Sequence, residues 1–192
     1  MIQALLVGLT VVILGFIECW CCFPMVERPL IVGTAIGIVL GDVKTGVEVG
    51  ASLELVFMGV MAIGGTVPPD AVSGTAVGTA YAIILGAGIE TAFALAVPTS
   101  IICQMLFVPK VALRSLYTPF IDRMVEKGNY KGIQRLFPLV AVTTSLFSGL
   151  VCALGVGLGA DVMKEFINNV PQTLLDGMGV AAGMLGAVGF GL

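Results

Sequence analysis

Three side chains able to do chemistry stand in stretches that are otherwise apolar: Glu54, Asp70 and Gln104. Glu54 lies in the middle of residues 49–67, and Asp70 follows the run Gly64-Gly65-Thr66-Val67-Pro68-Pro69. A lone carboxylate at membrane depth costs roughly 2.5–3.5 kcal/mol even on the lenient insertion scale, so such an acid marks a functional site by default. The reading gains force beside a backbone that cannot stay helical, and Gly64-Gly65 and Pro68-Pro69 break it on both sides of Thr66. Carboxylates and amides accept hydrogen bonds from hydroxyls, while backbone groups freed next to glycines donate or accept more. That equips Glu54, Asp70 and Gln104, with Glu18 as a possible fourth member, for a neutral polyhydroxylated ligand such as a sugar. The same set can hold a cation through carboxylate and carbonyl oxygens. The residues alone leave both open.

Other chemistries lack their residues. The chain has no histidine, which removes a phosphohistidine, a histidine proton relay and a histidine-ligated metal. No phosphate-cradling glycine motif follows a strand, and no serine nucleophile signature is present. Five cysteines fall in apolar stretches, and Cys19-Trp20-Cys21-Cys22 reads as small packing residues and not as a metal cluster. The expectation is a chain without catalysis of its own, without cofactor and without metal.

The elements that must position these groups are membrane helices. Of 192 residues, 58% are hydrophobic and only 11% charged, with a mean hydropathy of +1.09. Soluble domains carry about 25% charge, so the chain belongs to the membrane class. A net charge of −3 argues against a nucleic-acid partner. The start lacks a basic region and a cleavage site, so the first segment is expected to stay in the bilayer.

Residues 1–26 are long enough to span. Residues 29–41 are apolar but short, either half-spanning or buried against protein, with Gly33, Gly37 and Gly41 as a strip for close helix packing. Residues 71–109 allow two passes with a turn near Gly86–Glu90, the second kinked at Pro98. Residues 110–135 hold six of the nine basic residues, which makes this a cytoplasmic loop with one short amphipathic helix ending near Gly128-Asn129. Residues 136–160 form a clear span, 161–169 a polar connection, and 173–192 a last apolar, glycine-rich segment that stops without a polar tail. That ending suggests a C-terminally shortened chain.

Arg28-Pro-Leu-Ile31, Gly37-Ile-Val-Leu-Gly-Asp-Val-Lys-Thr-Gly46, Ser52-Leu-Glu-Leu-Val-Phe-Met-Gly59, Pro68-Pro-Asp70, Pro98 with Gln104, and Val170-Pro-Gln-Thr-Leu-Leu-Asp-Gly-Met-Gly-Val-Ala-Ala-Gly183 occur in register. Together they resemble the enzyme IIC subunit of the mannose/fructose/sorbose family of bacterial sugar phosphotransferase systems, over nearly the whole chain. The resemblance implies an all-α polytopic inner-membrane protein with re-entrant hairpins and an elevator-type core, forming one IIC domain over 1–192. It implies a sugar-translocating permease subunit that works with a IID membrane subunit and cytoplasmic IIA and IIB proteins, as an oligomer of IIC–IID pairs. Phosphate would travel on histidines of the partners, in keeping with their absence here. Carried over by position, Glu54 and Asp70 would contact sugar, supported by Gly64, Gly65, Thr66 and Gln104. Trp20 and the Gly-Gly-Thr-Val-Pro-Pro connection look more like the members for N-acetylgalactosamine, galactosamine or sorbose than like the mannose permease, while Pro68-Pro-Asp70 in place of Pro-Pro-Asn points partly the other way. The rivals are a non-transporting docking subunit for phage or bacteriocin and an ion-coupled transporter.

Overall fold

The computed structural model describes residues 1–21, 24–59, 67–86 and 88–169, and these residues fold into helices without strands. They are α1 (Ile2–Trp20), α2 (Pro29–Leu40), α3 (Val43–Phe57), α4 (Ala71–Leu85), α5 (Gly88–Gln104), α6 (Phe107–Ser115), α7 (Thr118–Glu126) and α8 (Tyr130–Asn169). Three apolar stretches among them are long enough to cross a bilayer: Ile2–Trp20, Ala92–Glu126 and Tyr130–Gly157.

Apolar residues do not drive helices together when lipid is the solvent, so close packing of small residues has to. Three helix pairs are built this way. Between α1 and α8, a Cβ added to Gly8 would lie 2.7 Å from the Gly149 carbonyl oxygen. Between α2 and α3, one added to Gly33 would lie 2.7 Å from Gly50 Cα, and one on Gly37 would lie 2.9 Å from Gly46 Cα. Between α4 and α5, one on Gly74 would lie 2.7 Å from the Ala96 carbonyl oxygen. The glycine strip on α2 is therefore two residues long. Gly41, expected as its third member, has open space around it and instead ends α2 in the left-handed conformation, φ 88°.

Gly41 and the next two residues turn the chain tightly. Asp42 caps α3, accepting from the Thr45 backbone N–H at 3.1 Å and from the Thr45 hydroxyl at 2.6 Å. With 12 residues at 1.5 Å rise, α2 reaches only about 18 Å, well short of the roughly 30 Å hydrocarbon core. The 15 residues of α4 are also short of a full span, so the first of the two expected passes over 71–109 is a shorter helix, whereas the second lies in the Ala92–Glu126 stretch that is long enough to cross. Gly86, φ 60°, turns between them.

The core joins these pairs. Val7 and Val11 of α1, Ile36 of α2, Val77 and Tyr81 of α4, Leu95 of α5 and Val156 of α8 form one buried cluster. Val49, Leu53 and Phe57 of α3 pack with Phe93 of α5 in a second. Outside, Leu5, Leu9 and Ile13 on α1 and Leu139, Val142, Leu146, Leu150 and Leu154 on α8 are exposed at helical spacing, two apolar stripes suited to lipid.

Two expectations about the second half change. The basic stretch holds two short helices, α6 and α7, and α8 already begins at Tyr130. The connection expected at 161–169 is a continuation of the same 40-residue helix, because Asp161 to Asn169 contains no proline or glycine to end it. The last segment, 173–192, lies outside the described residues.

Candidate functional site

The approach to α4 and the end of α5 enclose a cavity of about 230 Å³. Its polar wall is Asp70, Ser73, Gln104, Lys110 and Ser148, and its apolar wall includes Pro68, Phe107 and Phe147. Two of the expected site residues therefore meet there, and each is held by local chain geometry. Asp70 caps α4: its Oδ1 accepts from the backbone N–H groups of Val72 and Ser73 at 3.2 and 3.3 Å, and its Oδ2 accepts from the Ser73 hydroxyl at 2.7 Å. Its own N–H donates to the Ser100 carbonyl at 3.1 Å, which ties the cap to α5. Gln104, at the last turn of α5, donates from Nε2 to the Val67 carbonyl. The extended run Val67–Asp70 is thus pinned across the α5 end, and prolines at 68 and 69 suit it because they have no N–H to satisfy.

Glu54 does not line this cavity. It is not a lone carboxylate either, which corrects the cost argument that singled it out. Arg28 Nε donates to Glu54 Oε1 at 2.6 Å, its guanidinium closes an ion pair with the same oxygen, and the Leu30 backbone N–H donates to Oε2 at 3.2 Å. Leu30 is in the first turn of α2, where backbone N–H groups lack helical partners. Glu54 thereby supplies an acceptor from α3 to the start of α2. Gly64, Gly65 and Thr66 lie outside the described residues.

Other acids find their own places. Glu18 is buried and accepts from the Val26 backbone N–H at 2.7 Å, closing the α1–α2 turn. Glu27, in that turn, lies close to Gly15 and Ser145: a Cβ on Gly15 would be 3.2 Å from Glu27 Oε1 and 3.0 Å from Ser145 Oγ. Burial pushes the Glu27 carboxyl up, and Lys110 pulls it partly back. No group of three or more metal-ligating side chains occurs among the described residues, and Cys19, Cys21, Cys103 and Cys152 are free thiols.

Ser73, Ser148 and Lys110 were not singled out by sequence. Ser73 had a signal, since Asp70-x-x-Ser73 is the spacing of a helix cap whose third residue reaches back to it. Lys110 had none, because in the sequence it is one of six cations in a basic loop.

Comparison with known proteins places this geometry in context. A family model described as the sorbose-specific IIC component of the phosphotransferase system matches residues 1–192. The chain is 32% identical over 171 residues to the mannose-specific EIIC component of Escherichia coli K12, covering 86% of this chain and 63% of that one. It is 30% identical over 192 residues to N-acetylgalactosamine permease IIC component 1 of the same strain, covering all of this chain and 72% of the relative. The sorbose-specific EIIC component of Lacticaseibacillus casei is 30% identical over 167 residues, 86% of this chain and 60% of the relative. Among solved structures, the mannose transporter ManYZ in complex with microcin E492 superposes with a TM-score of 0.72 at 27% identity, over 99% of this chain and 77% of that one.

Proposed function

This chain belongs to the family of sorbose-specific IIC components of the sugar phosphotransferase system, and from that premise we propose that it binds a hexose or amino sugar and carries it across the bacterial inner membrane. The sugar would be phosphorylated there by a IIB partner, supplied by IIA. A IID subunit would complete the membrane part, in an oligomer of IIC–IID pairs. The chain itself is a multi-pass membrane protein and not a catalyst; phosphoryl-transfer residues belong to the partners.

The observation that carries this reading is the cavity at the head of α4. It presents Asp70, Ser73, Gln104 and Lys110 on one side and Phe107 and Phe147 on another, the mixture of hydrogen-bonding groups and flat apolar surface that a sugar ring needs. Its volume of about 230 Å³ leaves room for a sugar ring. Asp70 and Gln104 are the direct contacts in this reading. Glu54 joins them through the α2–α3 pair, and Gly64, Gly65 and Thr66 are assigned on the resemblance alone. The two short helix pairs, α2–α3 and α4–α5, are the parts that would re-enter the membrane and move as an elevator core, with α6 and α7 on the cytoplasmic side.

The test is uptake of a panel of labelled hexoses and amino sugars by bacteria lacking their own permeases, expressing this chain with IID, IIA and IIB proteins. Accumulation of a phosphorylated sugar, lost with Gln104→Leu, is the expected result. No accumulation of any sugar with the protein present in the membrane overturns it. A second reading, a docking subunit for a peptide toxin, is favoured by the likeness to a transporter solved with microcin E492. It predicts toxin sensitivity that survives Gln104→Leu.

A further inference from the structure

The hydrogen-bonding inventory of the cavity is unequal, and the inequality has a consequence for which sugars fit. Ser73 gives its hydroxyl proton to Asp70 and Gln104 gives an Nε2 proton to the Val67 carbonyl. Ser148 points its hydroxyl back to the Thr144 carbonyl, at 3.4 Å. These protons are committed to the protein, which leaves the second Nε2 proton of Gln104 as a neutral donor and Gln104 Oε1 with the outer lone pairs of Asp70 as acceptors. Lys110 is different. Its side chain lines the cavity half-buried, and among the described residues its ammonium forms neither an ion pair nor a side-chain hydrogen bond. Outside the cavity, Glu27 feels Lys110 without an ion pair to it, and burial pushes the Glu27 carboxyl toward the neutral form.

Building on the proposed sugar function, we infer that Lys110 is a specificity-determining residue that admits neutral sugars and rejects protonated amino sugars. An ammonium offers three donors and no acceptor, so a ligand beside it must bring an oxygen. A ring hydroxyl or an acetamido carbonyl does so. The protonated amine of a hexosamine brings only donors and a like charge, and inside one cavity the two charges are brought close together. Asp70 compensates weakly, because three N–H and O–H dipoles already surround its oxygens. Lys110 thus separates a hexosamine from its N-acetylated form, which differ at one nitrogen.

The test uses membranes containing the full chain, from cells lacking other permeases, and competition against a bound tritiated sugar. The competitors are a hexose, the matching N-acetylhexosamine and the matching hexosamine at about pH 6, where a sugar amine is protonated. The wild type is expected to bind the hexosamine on the order of tenfold more weakly than the N-acetylhexosamine, as like charges across a partly screened cavity require. Lys110→Met should bring the two within about twofold, and Lys110→Arg should keep the discrimination. An unchanged ratio in Lys110→Met, or a wild type that prefers the hexosamine, overturns the inference while leaving sugar binding intact. Membranes that hold the protein but bind none of the tritiated sugars overturn the sugar reading itself, and this inference with it.

Discussion

Glu54 has two roles to separate, holding α2 to α3 and contacting sugar, and a double-mutant cycle with Arg28 separates them. Glu54 accepts from Arg28 and from the Leu30 N–H, and its side chain is 19% exposed against 46% for Arg28. A fully buried pair loses about 3–5 kcal/mol when one partner is removed, and an exposed pair contributes only about 0.2–1. The half-exposed guanidinium puts this pair between the two. Glu54→Gln keeps an oxygen for Leu30 but loses the charge, so about 1–2 kcal/mol of stability is expected to go. Arg28→Met strands the better-buried carboxylate and should cost about as much or more. The double variant should cost less than the sum by about 1 kcal/mol. Unfolding in mixed micelles is followed by the fluorescence of Trp20, the single tryptophan, with sugar binding measured on the same preparations. If Glu54 also touches sugar, Glu54→Gln and the double variant both lose binding whereas Arg28→Met retains it. Binding lost in either single variant and restored in the double would reduce Glu54 to a strut. Strictly additive stabilities would refute the account of the pair itself.

The remaining predictions concern the frame around the site. Gly46→Ala places a Cβ 2.7 Å from the Gly33 carbonyl oxygen and should cost about 1–3 kcal/mol net of the gain in helix propensity, whereas Gly41→Ala meets no atom and should cost about 1–2 through its left-handed φ alone. Crosslinking of cysteine pairs placed across α2–α3 distinguishes them, being disturbed only in the first. The Thr45 hydroxyl, and then its N–H, hold the Asp42 carboxyl below its ordinary value. Its contribution to stability is present above the unfolded pKa and is lost as pH falls through the lower folded value. Thr45→Val should lower stability at neutral pH and flatten the acid limb of a stability–pH profile, with the variant and wild-type curves converging at low pH. Tyr81 is fully buried and donates its hydroxyl to the Gly155 carbonyl at 2.9 Å, joining α4 to α8. Tyr81→Phe should lose about 1–2 kcal/mol by the same micelle unfolding assay.

What the sequence made legible follows the range of the forces involved. Helix ends set by one or two residues could be read directly: Pro29 opens α2, and Gly86 turns the chain between α4 and α5. The short 29–41 helix was legible from its length against the bilayer. Pairings across the chain were not. Glu54 looked unaccompanied because its guanidinium partner lies 26 positions away, at the border of a different helix. The partner of Gln104 is a backbone carbonyl, which no side-chain pattern can announce. Lys110 shows the same limit from the other direction. As one charge in a basic loop it reports topology, which depends on a sum over many residues. As a cavity residue it acts through position, and that position exists only once α5 ends at Gln104 and α6 brings Lys110 to the wall of the cavity that Asp70 also lines. The cation with the strongest claim on specificity is therefore found by asking which charged donor in the cavity has no partner of its own, a question that needs every neighbour in place.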